Sequence, residues 1–404
     1  MKVLSNLEKK QLGVIIHFYR TQLFKSPRSD KANYNQINFS NGICSQAQLS
    51  RLENGDSLKD IDIYEKLLER LNIKLDKLPY KEIQLFDRVV RDILEYQNND
   101  DITINLKRIE SLVNHFGRVF KNNIIYVHYN YALEFIINIL NDDYQEAGYL
   151  LQDVEETIEL LQDNLLSLTL HYIGIYYTYI HKYQKATKFY LLCIENLQKL
   201  KITNPLIYVD VAYNYLLLNK HLKAISYLRL GFQAFIDTMN PYILERIYWI
   251  YAILYLKERY YEESLENLSL AKRAILVTNQ LELKINHFIL EACLSYLNSE
   301  IVEAMRFINE AKLLKKSELL TVFEFIFTKE KSLIEEVKDS ALIQVMTFYI
   351  VEDRVNYFEN NLRHQMENLP ITLKVMLQFE YYQYLKESNK YKKALEFNEE
   401  LRIF

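Results

Sequence analysis

Beyond about residue 80 the chain alternates long amphipathic stretches, rich in Tyr, Leu and Ile, with short polar breaks. This pattern predicts long helices joined by short connections. The breaks share a form: NDDYQEA, IHKYQKA, LNKHLKA, KERYYEES and LNSEIVEA. Each delivers a small residue at the same place: Ala147, Ala186, Ala224, Ser264 and Ala304, spaced 39, 38, 40 and 40 residues apart. ESNKYKKA repeats the form at Ala394, 90 residues after Ala304, leaving room for one irregular unit. Self-similarity at this period is the mark of a helical repeat array. Leu85 to Phe120 reads as an earlier, poorly matching helix pair, and Ser317 to Glu352 fits the pattern least. Before Pro79 the pattern differs. A first helix is expected over Leu12 to Tyr19, a short one after Ser45, and closing helices over Leu58 to Leu71 and at Leu75. Pro79 marks the boundary, because the residue before proline disfavours helix.

Composition sharpens this picture. Only 7 Gly and 5 Pro occur in 404 residues, too few for the many tight turns of a sandwich or propeller. The expected fold class is therefore all-α. The three cysteines are far apart and odd in number, which argues against a disulfide framework and for a reducing compartment. The first residues, MKVLSNLEKK, lack the apolar core of a signal peptide. Ala341 to Val351 is too short to span a membrane, and Ile124 to Leu140 is interrupted by His128, Asn130, Glu134 and Asn138. A soluble, cytoplasmic protein is expected. The net charge of −4 hides an asymmetry. Residues 1–80 carry 13 basic and 9 acidic side chains, and the remainder carries 36 and 44. Only the head is suited to an anionic partner.

The repeating unit resembles the tetratricopeptide repeat. The second unit shows it best, with Leu170, Ile173, Gly174 and Tyr177 on a first helix and Ala186, Tyr190 and Cys193 on a second. The small residues Gly174, Ala212, Ala252 and Ala292 let paired helices approach. The resemblance implies a right-handed helical solenoid over residues 79–404.

The head, residues 1–78, carries ICSQAQLSRLENG from Ile43 to Gly55. This resembles the recognition helix of phage-repressor-like (Xre, Cro/C1-type) helix-turn-helix domains. Gly42 supplies the turn, Ser45 the N-cap, Leu49 and Leu52 the core contacts, and Gly55 the left-handed exit. A longer polar connection than the family's and a weakly helical stretch at 34–41 are departures. The resemblance implies binding of double-stranded DNA, with the N-terminal part of this helix in the major groove. Gln46 is placed to read adenine, with Ala47 and Gln48 beside it. Arg51 could read guanine or hold a phosphate, and Gln36 and Ser45 would clamp the backbone. Lys25, Arg28 and Lys31 could add phosphate contacts.

A helix-turn-helix head followed by tetratricopeptide-like repeats resembles the Rap/Rgg/NprR/PlcR/PrgX group of peptide-pheromone receptors. The resemblance implies a homodimeric transcription regulator switched by a short signalling peptide bound on the concave face of the repeats. First-helix positions then select the peptide-binding candidates. These are His171, Ile175 and Tyr179; Tyr213; Arg246, Trp249, Ile253 and Lys257; and Asn286, Ile289 and Cys293. Asn130 and Asn214, each in a YNY context, could pair with a peptide backbone. This mostly aromatic and aliphatic lining suits an apolar peptide. The only Trp of the chain lies among them.

Neither a nucleotide-binding loop nor a metalloprotease or serine-hydrolase motif occurs. Histidines and cysteines show no ligand spacing. No enzyme, cofactor or metal is expected. The alternative reading is a protein-binding repeat adaptor, or a phosphorelay modulator, whose head does not read DNA.

Overall fold

The computed structural model describes residues 6–26, 31–73, 80–96, 102–120, 123, 127–239, 241–278 and 281–402. Pro79, Leu75 and Arg28 lie outside them. Among the described residues the chain is all-α: a helix-turn-helix head followed by a tetratricopeptide-like helical repeat. The chain divides into two compact units. One holds the described residues up to Tyr176 together with 189–203, and the other holds 177–188 and 204–402.

In the first unit the head is built from α1 (Asn6–Lys25), α2 (Lys31–Tyr34), α3 (Gln36–Ser40), α4 (Gln46–Glu53) and α5 (Ile61–Arg70). The polar stretch before the turn thus forms two very short helices broken at Asn35, whose side chain caps α3. Leu12, Ile15 and Ile16 of α1 are buried with Phe39, Leu49, Leu52, Tyr64, Leu67 and Leu68. Gly13 permits the close approach of α1 to α4, since a Cβ there would stand 2.1 Å from the Leu52 carbonyl oxygen. Gly42 and Gly55 adopt φ of +74° and +86°, as the turn and the helix exit require. One buried carboxylate organises the head. Glu53 receives Arg20 at 2.5 and 3.0 Å and Gln36 Nε2 at 2.8 Å, with His17 at 3.4 Å. Burial pushes the Glu53 carboxyl up, but the His17, Arg20 and Gln36 hydrogen bonds outweigh it and hold the group at about 2.

The same unit continues through α6 (Tyr80–Tyr96), α7 (Ile102–Phe120), α8 (Val127–Leu140) and α9 (Tyr144–Thr157). Here α1 rests on the first repeat. Gln11 Nε2 donates to Tyr129 Oη and to the Leu160 carbonyl, both at 3.3 Å. Gln22 donates to Glu156 at 2.7 Å. Phe18 packs edge-on against the buried His128 ring, which burial holds at about 4.

Paired helices follow: α10 (Asp163–Tyr179) with α11 (Tyr183–Leu200), α12 (Pro205–Leu217) with α13 (His221–Thr238), α14 (Pro241–Lys257) with α15 (Tyr261–Thr278), and α16 (Leu281–Leu297) with α17 (Ile301–Leu314). Their turns explain the scarcity of glycine. Asp142, His181, Asn219, Arg259, Ser299 and, later, Asn389 all have φ between 56° and 67°. After each, the next N–H reaches back to the carbonyl five residues earlier, as Lys182 does to Tyr177 at 2.8 Å and Lys220 to Tyr215 at 2.8 Å. This is the Schellman closure usually made with glycine. The small residue that marks each repeat begins the tight contact between paired helices. Ser264, for example, is fully buried and donates to the Ala252 carbonyl at 2.7 Å. Gly174 faces the Tyr190 ring so closely that a Cβ would lie 2.3 Å from it.

In the second unit the pattern then breaks. After α18 (Glu318–Thr328) come α19 (Ser340–Phe348), α20 (Arg354–Tyr357), a π-turn at Phe358–Leu362 and 3-10 turns at Lys331–Glu336 and Arg363–Asn368. Regular helices resume with α21 (Ile371–Glu387) and α22 (Tyr391–Arg402). The irregular stretch returns the chain to the repeats. Leu373, Met376, Leu377 and Tyr381 of α21 share a core with Ile289 and Cys293 of α16, and Phe358 stacks on Tyr381 at 3.8 Å.

Candidate functional site

The exposed face of α4 is the first candidate surface. Leu49 and Leu52 anchor the helix in the head's core, while Ser45, Gln46, Ala47, Gln48 and Arg51 face outward. Ser45 Oγ accepts the Gln48 N–H at 3.2 Å, and Gln48 Oε1 accepts the Ser45 N–H at 3.0 Å. This reciprocal capping box fixes the helix start. It also engages Gln48's acceptor, leaving Gln46 as the glutamine whose whole amide is presented. Arg51 pairs with Asp56 at 3.0 Å, both well exposed. Such a pair is weak, so Arg51 can turn to another anion. Gln36, expected to hold a phosphate, instead donates to Glu53. Its position serves the head's interior.

The second surface lies in the second unit, on the first helices of successive pairs. There α12 and α14 bring together three of the sequence-selected residues, Tyr213, Arg246 and Trp249. The Tyr213 and Trp249 rings sit 6.2 Å apart. Arg246 lies over the Tyr242 ring at 5.6 Å and donates to Asp210 Oδ1 at 2.6 Å. Burial disfavours the Arg246 charge, and Asp210, Tyr242 and Glu245 together more than compensate. Burial also raises the Tyr213 and Tyr242 hydroxyls above their ordinary range. One turn before Trp249, Glu245 is 1 % exposed and held up at about 8 by burial, with Arg246 opposing. The Glu245 Oε2 and Trp249 Nε1 atoms are buried and unpartnered. Asp210, Tyr242 and Glu245 were not selected from the sequence. The one available signal was a charge inside otherwise apolar helices. This face is consequently more polar than the apolar lining expected.

Other selected residues are placed differently. Asn214 is fully buried. Its Nδ2 donates to the Tyr183 carbonyl at 2.7 Å and to Thr187 Oγ1 at 2.6 Å, and Thr178 donates to its Oδ1 at 3.4 Å. It ties helices together and offers nothing to a ligand. Ile253 is fully buried, and so are Ile289 and Cys293 on α16. In the first unit His171 is buried between the Tyr172 and Tyr190 rings. These positions are packing residues, because helical spacing alone does not separate an open face from one covered by a later segment. Tyr179 and Asn286 are exposed, and Ile175 is half-buried. Asn130 of the first unit is half-buried with its Oδ1 buried and unpartnered. Lys257 ends α14, its ammonium hydrogen-bonded to Asn219 Oδ1.

Among the described residues no cluster of His, Cys, Asp or Glu could hold a metal ion, and no helix is long and apolar enough to cross a membrane.

No family model matches the chain, and no curated protein matches it. Solved structures do. The crystal structure of NprR in complex with its cognate peptide NprX aligns with a TM-score of 0.59 at 12 % identity, over 78 % of this chain and 97 % of that one. The apo form of the quorum sensor NprR from B. thuringiensis aligns with a TM-score of 0.54 at 12 % identity, over 80 % and 98 %. The resemblance to the Rap/Rgg/NprR/PlcR/PrgX receptors thus holds at the level of the fold.

Proposed function

We propose that this protein is a cytoplasmic, homodimeric transcription regulator. Its head reads double-stranded DNA, and a short signalling peptide on the inner face of its repeats switches it. The carrying observation is the construction of α4. A helix pinned by Leu49, Leu52 and a full capping box presents Gln46, Ala47 and Arg51 to solvent, the arrangement a major-groove reader needs. The peptide half is supported by the Tyr213–Trp249–Arg246 cluster, with its unpartnered buried atoms. It is also supported by a fold shared with a protein crystallised with its cognate peptide. Gln46 serves as the adenine reader, Arg51 as a guanine or phosphate contact, and Ser45 as the helix cap.

The test is DNA binding to fragments surrounding the protein's own gene, comparing wild type with the Gln46→Ala/Arg51→Ala double variant at fixed salt. Site-specific binding is expected for wild type. The double variant is expected to keep only weak binding that fades as salt rises, the signature of backbone contacts. Absence of any sequence preference in the wild type, with or without candidate peptides, would sink the DNA-reading head and leave a protein-binding adaptor.

A further inference from the structure

The outer side of α13, in the second unit, carries a feature that neither folding nor the two candidate surfaces uses. Its inner side is Ala224, Leu228, Gly231 and Ala234, all buried. A separate stripe runs along its outside: Leu222, Ile225, Arg229, Phe232 and Ile236, with Met239 just past the helix end. Leu222, Phe232, Ile236 and Met239 are between 39 % and 83 % exposed. Arg229 is exposed and Ile225 half-buried. Arg229, the one polar member, hydrogen-bonds the Tyr251 hydroxyl of α14.

The neighbouring repeats supply a control. When the units are aligned on Ala186, Ala224 and Ser264, the stripe is broken by Gln184, Thr187 and Gln198 on α11, and by Glu262, Ser269 and Lys272 on α15. The repeat fold therefore does not require apolar residues at these places. An apolar stripe kept in water along one helix alone marks an interaction surface. Its spacing says what fits. The intervals are three, four, three, four and three residues, the seam by which one helix seats against another. That series reads the same from either end. Laid antiparallel on itself about a two-fold axis, the stripe sets Leu222 against Met239, Ile225 against Ile236, and the Arg229 stem against Phe232 of the second copy. Size is also sufficient. The 18 residues of α13 extend about 27 Å. With the side chains flanking the seam the strip is about 20 Å across, so two copies would bury roughly 1,100 Å² between them, above the ~1,000 Å² expected of a specific interface.

We propose that the outer stripe of α13 is a homodimer interface, in which α13 of one copy packs antiparallel on α13 of another. The inference rests on the homodimeric reading above and names its face.

The experiment measures the mass of the full-length protein by sedimentation equilibrium at concentrations up to ~100 μM, where an interface of this size associates. The wild type is expected at twice the chain mass, and Phe232→Glu/Ile236→Glu at the chain mass. Both replaced side chains are exposed, so circular dichroism and the melting temperature of the monomer should show an intact helical fold. Leu276→Glu, the position equivalent to Ile236 one repeat later and itself exposed, should remain dimeric. Register is tested by oxidation in a Cys44→Ser background, since Cys193 and Cys293 are buried. Leu222→Cys/Met239→Cys should form a covalent dimer and Leu222→Cys alone should not. A dimeric wild type whose glutamate variant is still dimeric overturns this face while leaving the homodimer. Cross-linking through Leu222→Cys alone overturns the antiparallel register. A wild type that stays at the chain mass throughout overturns the homodimer and this inference with it.

Discussion

Two sets of charged side chains, one in each unit, were built to different specifications. In the head, the Glu53 side chain is 2 % exposed, and every nearby donor is turned upon it: Arg20 twice, Gln36 and His17. In the second unit, Lys257 has one neutral partner and Lys374 no bonded carboxylate. Burial opposes charge in both places. Saturation reverses the penalty for Glu53, whereas the charges of Glu258 and Glu367 only partly offset it for Lys257 and Lys374. The lesson concerns use. A closed electrostatic set holds helices in place, and a set left partly unpaired subtracts from stability.

Removing one side of the closed set has the largest expected effect. Arg20→Ala leaves the Glu53 carboxylate buried with only Gln36 and His17, and should cost about 3–5 kcal/mol in chemical denaturation. Arg20→Met combined with Glu53→Leu should recover most of that loss, since the pair is then absent from both states. If Arg20→Ala alone is neutral, the cluster is not closed.

Acid provides the next largest effect. Glu53 is held at about 2 against an ordinary 4.5, so its contribution is complete above the unfolded value. It is lost as pH falls from about 5 towards 2, amounting to about 3 kcal/mol. Wild type should show this decline in urea midpoint, and Glu53→Gln should lack that component of it.

The open set should respond with the reverse sign. Lys257 is held below its unfolded value, so folding is penalised while both states are protonated. The penalty fades as pH rises from about 7 through the unfolded lysine range. Lys257→Met is therefore expected to stabilise the protein by about 1–2 kcal/mol at pH 6, and by visibly less at pH 9.5. A variant less stable than wild type at pH 6 would place Lys257 with the closed sets.

The Asp210–Arg246 pair stands between these extremes, bonded yet partly open to solvent, with side chains 9 % and 23 % exposed. Asp210→Asn should cost about 1 kcal/mol or less. In a peptide-binding assay it should weaken or strengthen the complex according to whether Arg246 is needed where Asp210 holds it. No change in either readout would make the pair incidental to both folding and binding.

Much of this was legible in the residues themselves. The repeats announce themselves because each break must supply a turn and then a small residue where two helices touch, and both constraints are local. The α4 cap, core leucines and exit glycine are legible for the same reason. What could not be read depends on distant segments. Asn130 and Asn214 occupy the same tripeptide context, yet one keeps an unpartnered oxygen and the other is saturated. The difference lies in what packs above each helix. Ile253, Ile289 and Cys293 fit the face pattern equally well but are buried. For Ile289 and Cys293 the irregular stretch after α18 brings α21 into their core, which no period in the sequence encodes. Lys257 was selected from its place on α14, whereas Lys374, more than a hundred residues further on, was not.

The left-handed residues at the repeat turns have a consequence for how such a chain drifts. Asp, His, Asn, Arg and Ser all serve at equivalent corners, each at a small backbone cost that glycine would avoid. What is inherited from corner to corner is a hydrogen-bond closure, and the letters that fulfil it are interchangeable. A lineage can therefore rewrite its turns one after another without moving a helix. Its spelling then fades while its architecture persists.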